Sequence, residues 1–279
     1  MTVLVTGARG AVAREVIRQL VAEGEPVRAA SRAGAPAGLP PQVPLISLDL
    51  GVPATIAPAL TGIDKVFLYA EPAGAAEFAE AARAAAIEHV VLLSSASIAY
   101  PSVRTNSIAE RHAIVERTLL NSGVPYTFLR PGLFATNTIS RFAPSVRAER
   151  VVRTAFPDTA SAPIHERDIA EAAVTALLRP GHRNTDYLLS GPESLTARDQ
   201  VAAIGAALGE AVTLEVVGLR AERAELGKTM PPAFADVMVS FYEPGSGQPA
   251  EVHDGVQRIT GHPATPFSRW AEDHVADFR

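Results

Sequence analysis

Short, almost uninterrupted apolar runs recur along the first half of the chain, at residues 3–6, 27–30, 45–48, 65–70, 89–94 and 126–130. Stretches with helical spacing separate them, at 12–23, 55–60, 75–86 and 109–122. A strand that is apolar on both faces belongs inside a sheet covered on both sides, and strands that alternate with helices join in parallel. Gly24 and Gly123 stand where two of these helices should end, as C-terminal caps. The pattern predicts a doubly wound α/β fold. After Pro131 it becomes less regular: helices are expected over 166–178, 197–208 and near Ala221 and Phe234, with strands over 187–190 and 212–217. Residues 243–249 read as a loop and 266–278 as a closing helix.

Composition narrows the setting without changing that outline. The 279 residues are 47% hydrophobic and 20% charged, as in an ordinary soluble globular protein. A net charge of −5 speaks against a nucleic-acid partner, because such binding needs a basic surface to displace counterions. Four arginines between Arg141 and Arg153 are the local exception, and with Glu149 they read as a solvated helix face rather than an anion site. Without cysteine there is no disulfide, thiolate zinc site or thiol nucleophile. The chain opens on a strand-like Thr2–Thr6 rather than a signal peptide, and no apolar run reaches the roughly 18 residues of a spanning helix. A cytoplasmic protein with no membrane partner is the expectation.

The first strand leads into Thr6-Gly7-Ala8-Arg9-Gly10-Ala11-Val12-Ala13, which opens a helix. In this position Gly7 permits the sharp turn out of the strand, Gly10 leaves no Cβ between backbone and a pyrophosphate, and Ala13 lets the helix pack close to the sheet. The helix start, at Ala11 and Val12, offers free N–H groups and a positive dipole end. These features define a Rossmann-type dinucleotide site over residues 1–135. Residues 136–279 then form mainly a smaller, substrate-binding α/β lobe, with some segments returning to the core. The second strand ends without Asp or Glu between Pro26 and Pro36 but carries Arg28, Ser31 and Arg32. A guanidinium there grips a 2′-phosphate in two-pronged fashion, whereas an acid would take a ribose 2′-hydroxyl; NADP(H) is therefore expected over NAD(H). Arg9 is a second candidate for the same phosphate. Asp49 and Leu50 close the third strand, suited to an adenine, although Asp49 also suits a turn or helix cap. Tyr69-Ala70-Glu71-Pro72 and Ser94-Ser95-Ala96, at the carboxyl ends of the fourth and fifth strands, should line the cleft.

Together with Glu116, Leu129-Arg130-Pro131-Gly132, His165-Glu166-Arg167-Asp168 and Ser190 to Thr196, these residues make the chain resemble the NmrA-like branch of the atypical short-chain dehydrogenases/reductases. The resemblance runs the whole length and closes at Gly261 to Phe267. It implies an NAD(P)-binding protein: a reductase of quinones, azo compounds or secondary metabolites, or a redox sensor that binds NADP without turnover. The wider superfamily reduces carbonyls with a Tyr-x-x-x-Lys pair, in which lysine lowers the tyrosine pKa. Here neither Lys65 nor Lys228 follows a tyrosine by four residues. The resemblance places His112 at the lysine position and Ile108 at the tyrosine position. His112 is thus a candidate for binding the nicotinamide ribose or for relaying a proton. Ser95 is the candidate hydroxyl near the hydride site. Phe134 and Asn137 follow the sixth strand, and Asn137 is either a substrate hydrogen-bonder or a helix cap. Asp168 is expected to anchor the helix that docks the lobe. No metal site is expected, with His253, Asp254 and His262 read as surface or loop residues. The leading expectation is an NADPH-dependent reductase of a flat, conjugated, quinone-like small molecule. The alternative is a non-catalytic NADP(H) sensor with a protein partner.

Overall fold

The computed structural model describes residues 1–100, 107–227, 235, 236, 239 and 247–279. Along the chain the elements run β1 (Val3–Val5), α1 (Ala11–Ala22), β2 (Val27–Ser31), β3 (Leu45–Ser47), α2 (Ile56–Ala59), β4 (Lys65–Tyr69), α3 (Ala75–Ala84), β5 (His89–Leu93), α4 (Ser107–Ser122) and β6 (Tyr126–Pro131). They continue with α5 (Asn137–Glu149), β7 (Val151–Thr154), β8 (Ala160–Ser161), α6 (Glu166–Leu178), β9 (Thr185–Leu189), β10 (Leu195–Thr196), α7 (Ala197–Leu208), β11 (Thr213–Val216) and α8 (Leu219–Leu226). Two short helices, Gly255–Thr260 and Phe267–Asp273, follow. Near Phe234, where a helix is expected, Ala235, Asp236 and Val239 are helical; Phe234 itself, Lys228 and residues 243–246 lie outside the described residues.

Backbone contacts gather the chain into two units. The first takes Met1–Pro131, Glu166–Leu189 and Gly255–His262. Its seven-stranded sheet has the order β3-β2-β1-β4-β5-β6-β9, every pairing parallel, which is the doubly wound Rossmann arrangement that the apolar runs predicted. One face packs on α2, α3 and α4 through Leu4, Val66, Leu68, Val90, Leu92 and Phe128 against Ile56, Phe78, Val115 and Leu119. α1 and α6 pack on each other, and α6 contacts β4, β5 and β6. α1 buries Val12, Val16, Ile17 and Leu20, and α6 buries a run rich in alanine that lets the helices approach closely. Asp168 is buried in the first turn of α6. Gly24 and Gly123 both adopt positive φ after their helices, at +78° and +77°.

The second unit takes Gly132–His165, Ser190–Asp254 and Pro263–Arg279. Its core is Phe142, Val146, Val152, Val201, Ile204, Phe267, Trp270 and Phe278. β7 pairs in parallel with β11, and β8 antiparallel with β10. A capping box starts α7: Thr196 accepts from the Asp199 N–H while Asp199 accepts from that of Thr196. The expected closing helix ends at Asp273 and resumes as one 3-10 turn, Val275–Phe278. The arginine cluster also differs from its sequence reading. Helix α5 ends at Glu149, so Arg153 stands on β7. Arg141 is tied to Glu222 at 2.9 Å, Arg150 to Glu210 at 2.6 Å and Arg153 to Glu149 and Glu215 at 2.6 and 2.9 Å. Arg147 donates to the Asp277 carbonyl at 2.5 Å. Each cation is tied to the unit's own structure: Arg141 turns inward and Arg153 sits on β7, while Arg147 and Glu149 stay exposed on α5, so only part of the stretch is a solvated helix face.

Candidate functional site

Ligands of open parallel sheets bind beyond the carboxyl ends of the strands. There, in the first unit, lies a cavity of about 460 Å³ lined by Thr6, Gly7, Arg9, Gly10, Ala30, Ser31, Arg32, Ala33, Leu48, Asp49, Leu50, Tyr69 and Glu71. The strand order explains who is present: β3, β2, β1 and β4 are neighbours, so residues that end them converge on one rim.

The glycine loop fits a dinucleotide. Gly7 has φ +64°, and a Cβ there would come 3.2 Å from the Cβ of Tyr69. Gly10 is the N-cap of α1 in extended backbone, and no side chain caps the helix. The first-turn N–H groups of α1 are therefore left for an anion, which a helix start favours through its dipole as well. Ser31 is buried, and its hydroxyl accepts from the Ala33 N–H at 3.3 Å. Arg32 is exposed on the cavity wall, and its guanidinium has no protein partner among the described residues. Arg9 reaches over the same turn to the Ala33 carbonyl at 3.4 Å. Arg28 instead donates to the Thr61 carbonyl at 2.8 Å and is not in the lining. Asp49 accepts from the Gly51 N–H at 2.9 Å, the turn role left open for it, while still lining the cavity beside Leu50. Glu71 caps a 3-10 turn through the Ala73 N–H at 3.2 Å and lies 3.4 Å from Arg111 of α4.

Thr6, Ala30, Ala33 and Leu48 complete the wall but carried no separate sequence signal. They are small or apolar residues beside the marked ones. Ala11, Val12, Ala70, Pro72, Ser94 and His112, expected at the cofactor, are not in the lining. Val12, Ala70 and Ser94 are buried, so their side chains do not reach the cavity wall. Ser94 shows why. Its hydroxyl donates to Glu116 Oε1 at 2.6 Å, and Arg130 clamps the same carboxylate through Nε at 2.8 Å and Nη2 at 2.7 Å. Arg130 also holds Asp186 at 2.8 Å. Four elements (β5, α4, β6 and β9) are thereby locked through one buried carboxylate, which keeps the Arg130 guanidinium above its usual pKa.

His112 lies one turn before Glu116 on α4. Its Nδ1 is buried and lacks a hydrogen-bond partner. Burial pushes its pKa down to about 4, with Arg111 adding to the fall and Glu116 opposing it. The imidazole is therefore neutral at pH 7 and has one unsatisfied nitrogen. Ser95 caps the 3-10 turn Ala96–Ile98 and shares a 2.9 Å hydrogen bond with the Ser97 hydroxyl. Asn137, in the second unit, is exposed at the first position of α5, and the N-cap is Thr136. His253 is half-buried in that unit, its N–H held by the Ser190 hydroxyl at 2.8 Å. His262 bonds Glu171 at 2.7 Å in the first.

A glycine-loop cradle at the end of β1 in an all-parallel sheet defines a dinucleotide-binding protein, and comparison with known proteins agrees. Residues 7–180 match the NAD(P)H-binding family model, and the chain belongs to that family, as the NmrA-like resemblance implied. It is 38% identical over 283 residues to a (4-alkanoyl-5-oxo-2,5-dihydrofuran-3-yl)methyl phosphate reductase of Streptomyces griseus subsp. griseus, covering 99% of each chain. It is 32% identical over 285 residues to the NAD(P)H azoreductase of Xenophilus azovorans, again over 99% of each. In fold it is similar to the triphenylmethane reductase of Citrobacter sp., with a TM-score of 0.84 and 21% identity over 99% of this chain and 100% of that one. An NADPH-dependent quinone oxidoreductase from Escherichia coli, solved with NADPH, gives a TM-score of 0.80 at 23% identity over 97% and 99%. The protein is an NAD(P)H-binding member of this family. No helix among the described residues is long and apolar enough to cross a membrane.

Proposed function

We propose that this protein is an NADPH-dependent reductase of small, electron-poor conjugated molecules, such as a quinone, an azo compound or an acyl-substituted unsaturated lactone. The observation that carries the reading is the cavity at the glycine loop, bounded by the uncommitted guanidinium of Arg32. Arg32, with Arg9 beside it, supplies the fork for a 2′-phosphate. Gly10 and the uncapped start of α1 take the pyrophosphate. Asp49 and Leu50 flank the adenine. Ser95 and His112 serve the reacting end.

The reduced coenzyme supplies two electrons and a proton as hydride. His112 is neutral near pH 7, so it orients through a hydrogen bond rather than acting as a strong acid. That matches Ile108 in the place of a catalytic phenol. It also suits acceptors in which the added electron pair spreads over a conjugated carbonyl, imine-like or quinone oxygen, so that water protonates the stabilised anion. A simple ketone would leave a localised alkoxide and demand the missing acid. The relatives named above act on such conjugated molecules by their names, over the full chain length. We assign the protein to the cytoplasm, in line with its cysteine-free composition. Following loss of reduced-nicotinamide absorbance with a panel of quinones, azo dyes and acyl butenolides tests the proposal. Acceleration over the enzyme-free blank by at least one class is expected. Tight NADPH binding with no acceleration by any of them would favour a sensor instead.

A further inference from the structure

Tyr69 ends β4 with its backbone fixed and its ring uncommitted. The Tyr69 N–H donates to Thr6 Oγ1 at 2.7 Å, and its neighbours Leu68 and Ala70 are buried. Yet 53% of Tyr69 is exposed, although it forms part of the cavity wall. Its hydroxyl has no hydrogen-bond partner and its ring no stacking partner among the described residues. A half-exposed aromatic in the wall of a cavity is apolar area waiting for cover.

Its location says which part of the coenzyme would cover it. In the sheet, β2 and β4 flank β1 on opposite sides. Arg32, Asp49 and Leu50 follow β2 and β3 and mark the adenosine side; Tyr69 is the last residue of β4, on the far side of the glycine loop. The base of its side chain abuts that loop, since a Cβ on Gly7 would meet Tyr69 Cβ at 3.2 Å and Cγ at 3.5 Å. A dinucleotide laid across the rim must pass this ring as it leaves the adenosine side for the nicotinamide side.

We propose that Tyr69 is a coenzyme-retention residue, whose ring covers the middle of the bound dinucleotide beyond the glycine loop and slows its release. The inference rests on the reading of this cavity as the coenzyme site. It adds that the adenosine half alone does not engage the ring. The side chain is exposed and bonds to nothing, so its removal leaves the fold intact.

Two probes separate the possibilities: NADPH, and 2′,5′-ADP as the adenosine half alone. Binding is measured by titration calorimetry, and NADPH release by stopped-flow fluorescence, in the wild type, Tyr69→Phe and Tyr69→Ala. Tyr69→Ala should weaken NADPH about five- to tenfold, mostly through faster release, the range of one lost aromatic contact. The same variant should bind 2′,5′-ADP within about twofold of wild type, and Tyr69→Phe should bind both probes within about twofold. NADPH affinity in Tyr69→Ala unchanged to within about twofold overturns the proposal. So does an equal loss for both probes, which would mean that the ring acts on the whole cavity. A wild-type chain that binds neither probe overturns the coenzyme reading itself.

Discussion

Glu116→Gln keeps the shape of the side chain but takes away the charge on which four elements converge. Glu116 is 4% exposed and accepts three hydrogen bonds, at 2.6, 2.7 and 2.8 Å, from Ser94 and Arg130. An amide presents one oxygen and one NH₂, so at least one of these donors would face another donor. Hydrogen bonds to charged groups are worth about 1.5–3 kcal/mol each, and breaking a buried pair costs about 3–5 kcal/mol. Arg130 is 19% exposed and keeps Asp186, so it is only partly stranded. The lower end applies, about 3 kcal/mol, or a fall in Tm of roughly 6–10 °C for a chain of this size. Urea unfolding followed by circular dichroism measures it, with Arg130→Met and the double variant completing a cycle. The double variant should lose well under the sum of the singles, because each single leaves the other's charge unpaired. A loss below about 1 kcal/mol in Glu116→Gln would refute the claim that this carboxylate locks the sheet.

Other expectations follow from the same geometry. Arg32→Ala should weaken NADPH about 10- to 100-fold in titration calorimetry and leave NADH nearly untouched, because only the 2′-phosphate loses its charged fork. Gly74→Ala should disturb the cavity from behind: its Cβ would stand 1.6 Å from the Leu50 carbonyl, so unfolding stability should drop by about 1–3 kcal/mol with weaker coenzyme binding. His89 gives a pH dependence. Thr127 donates its one hydroxyl hydrogen to the His182 carbonyl, so His89 Nε2 is the donor in the 2.9 Å bond to Thr127. Burial, then Lys65 and Arg183, push His89 down to about 4 from 6.5. The folded state thus binds fewer protons than the unfolded one, and stability is full above pH 6.5 and falls as pH drops toward 4. His89→Gln should remove about 2 kcal/mol of the wild type's loss between pH 7 and 5, read by urea midpoints at both pH values; identical slopes would contradict this.

The first unit was legible because burial on both faces keeps its central strands, β1, β4 and β5, nearly all apolar, and helical stretches alternate with them. The second unit was less so. β8 and β10 are two residues each, and β7 alternates buried Val152 and Thr154 with outward Val151 and Arg153 over only four residues, too few to stand out in the sequence. α5 contains Pro144, which breaks the helical pattern in the sequence and leaves its arginines as the visible signal. At the site, Gly7, Arg9, Gly10, Ser31, Arg32, Asp49, Leu50 and Glu71 carried motif signals and meet in one cavity. The direction of the Ser94 hydroxyl carried none. It depends on Glu116 and Arg130, which are distant in sequence and meet only when α4 packs beside β5 and β6. The depressed pKa of His112 likewise comes from burial, which spacing does not reveal.

We propose that the coenzyme in this cradle is used, not merely held. NADPH deuterated at the nicotinamide C4 should be mixed with the protein and each acceptor of the panel, and the reduced product examined by mass spectrometry. For an acceptor reduced at carbon, acceptor-dependent loss of the NADPH absorbance is expected, with one deuterium carbon-bound in the product. Saturable NADPH binding without acceptor-dependent oxidation across the whole panel would contradict it.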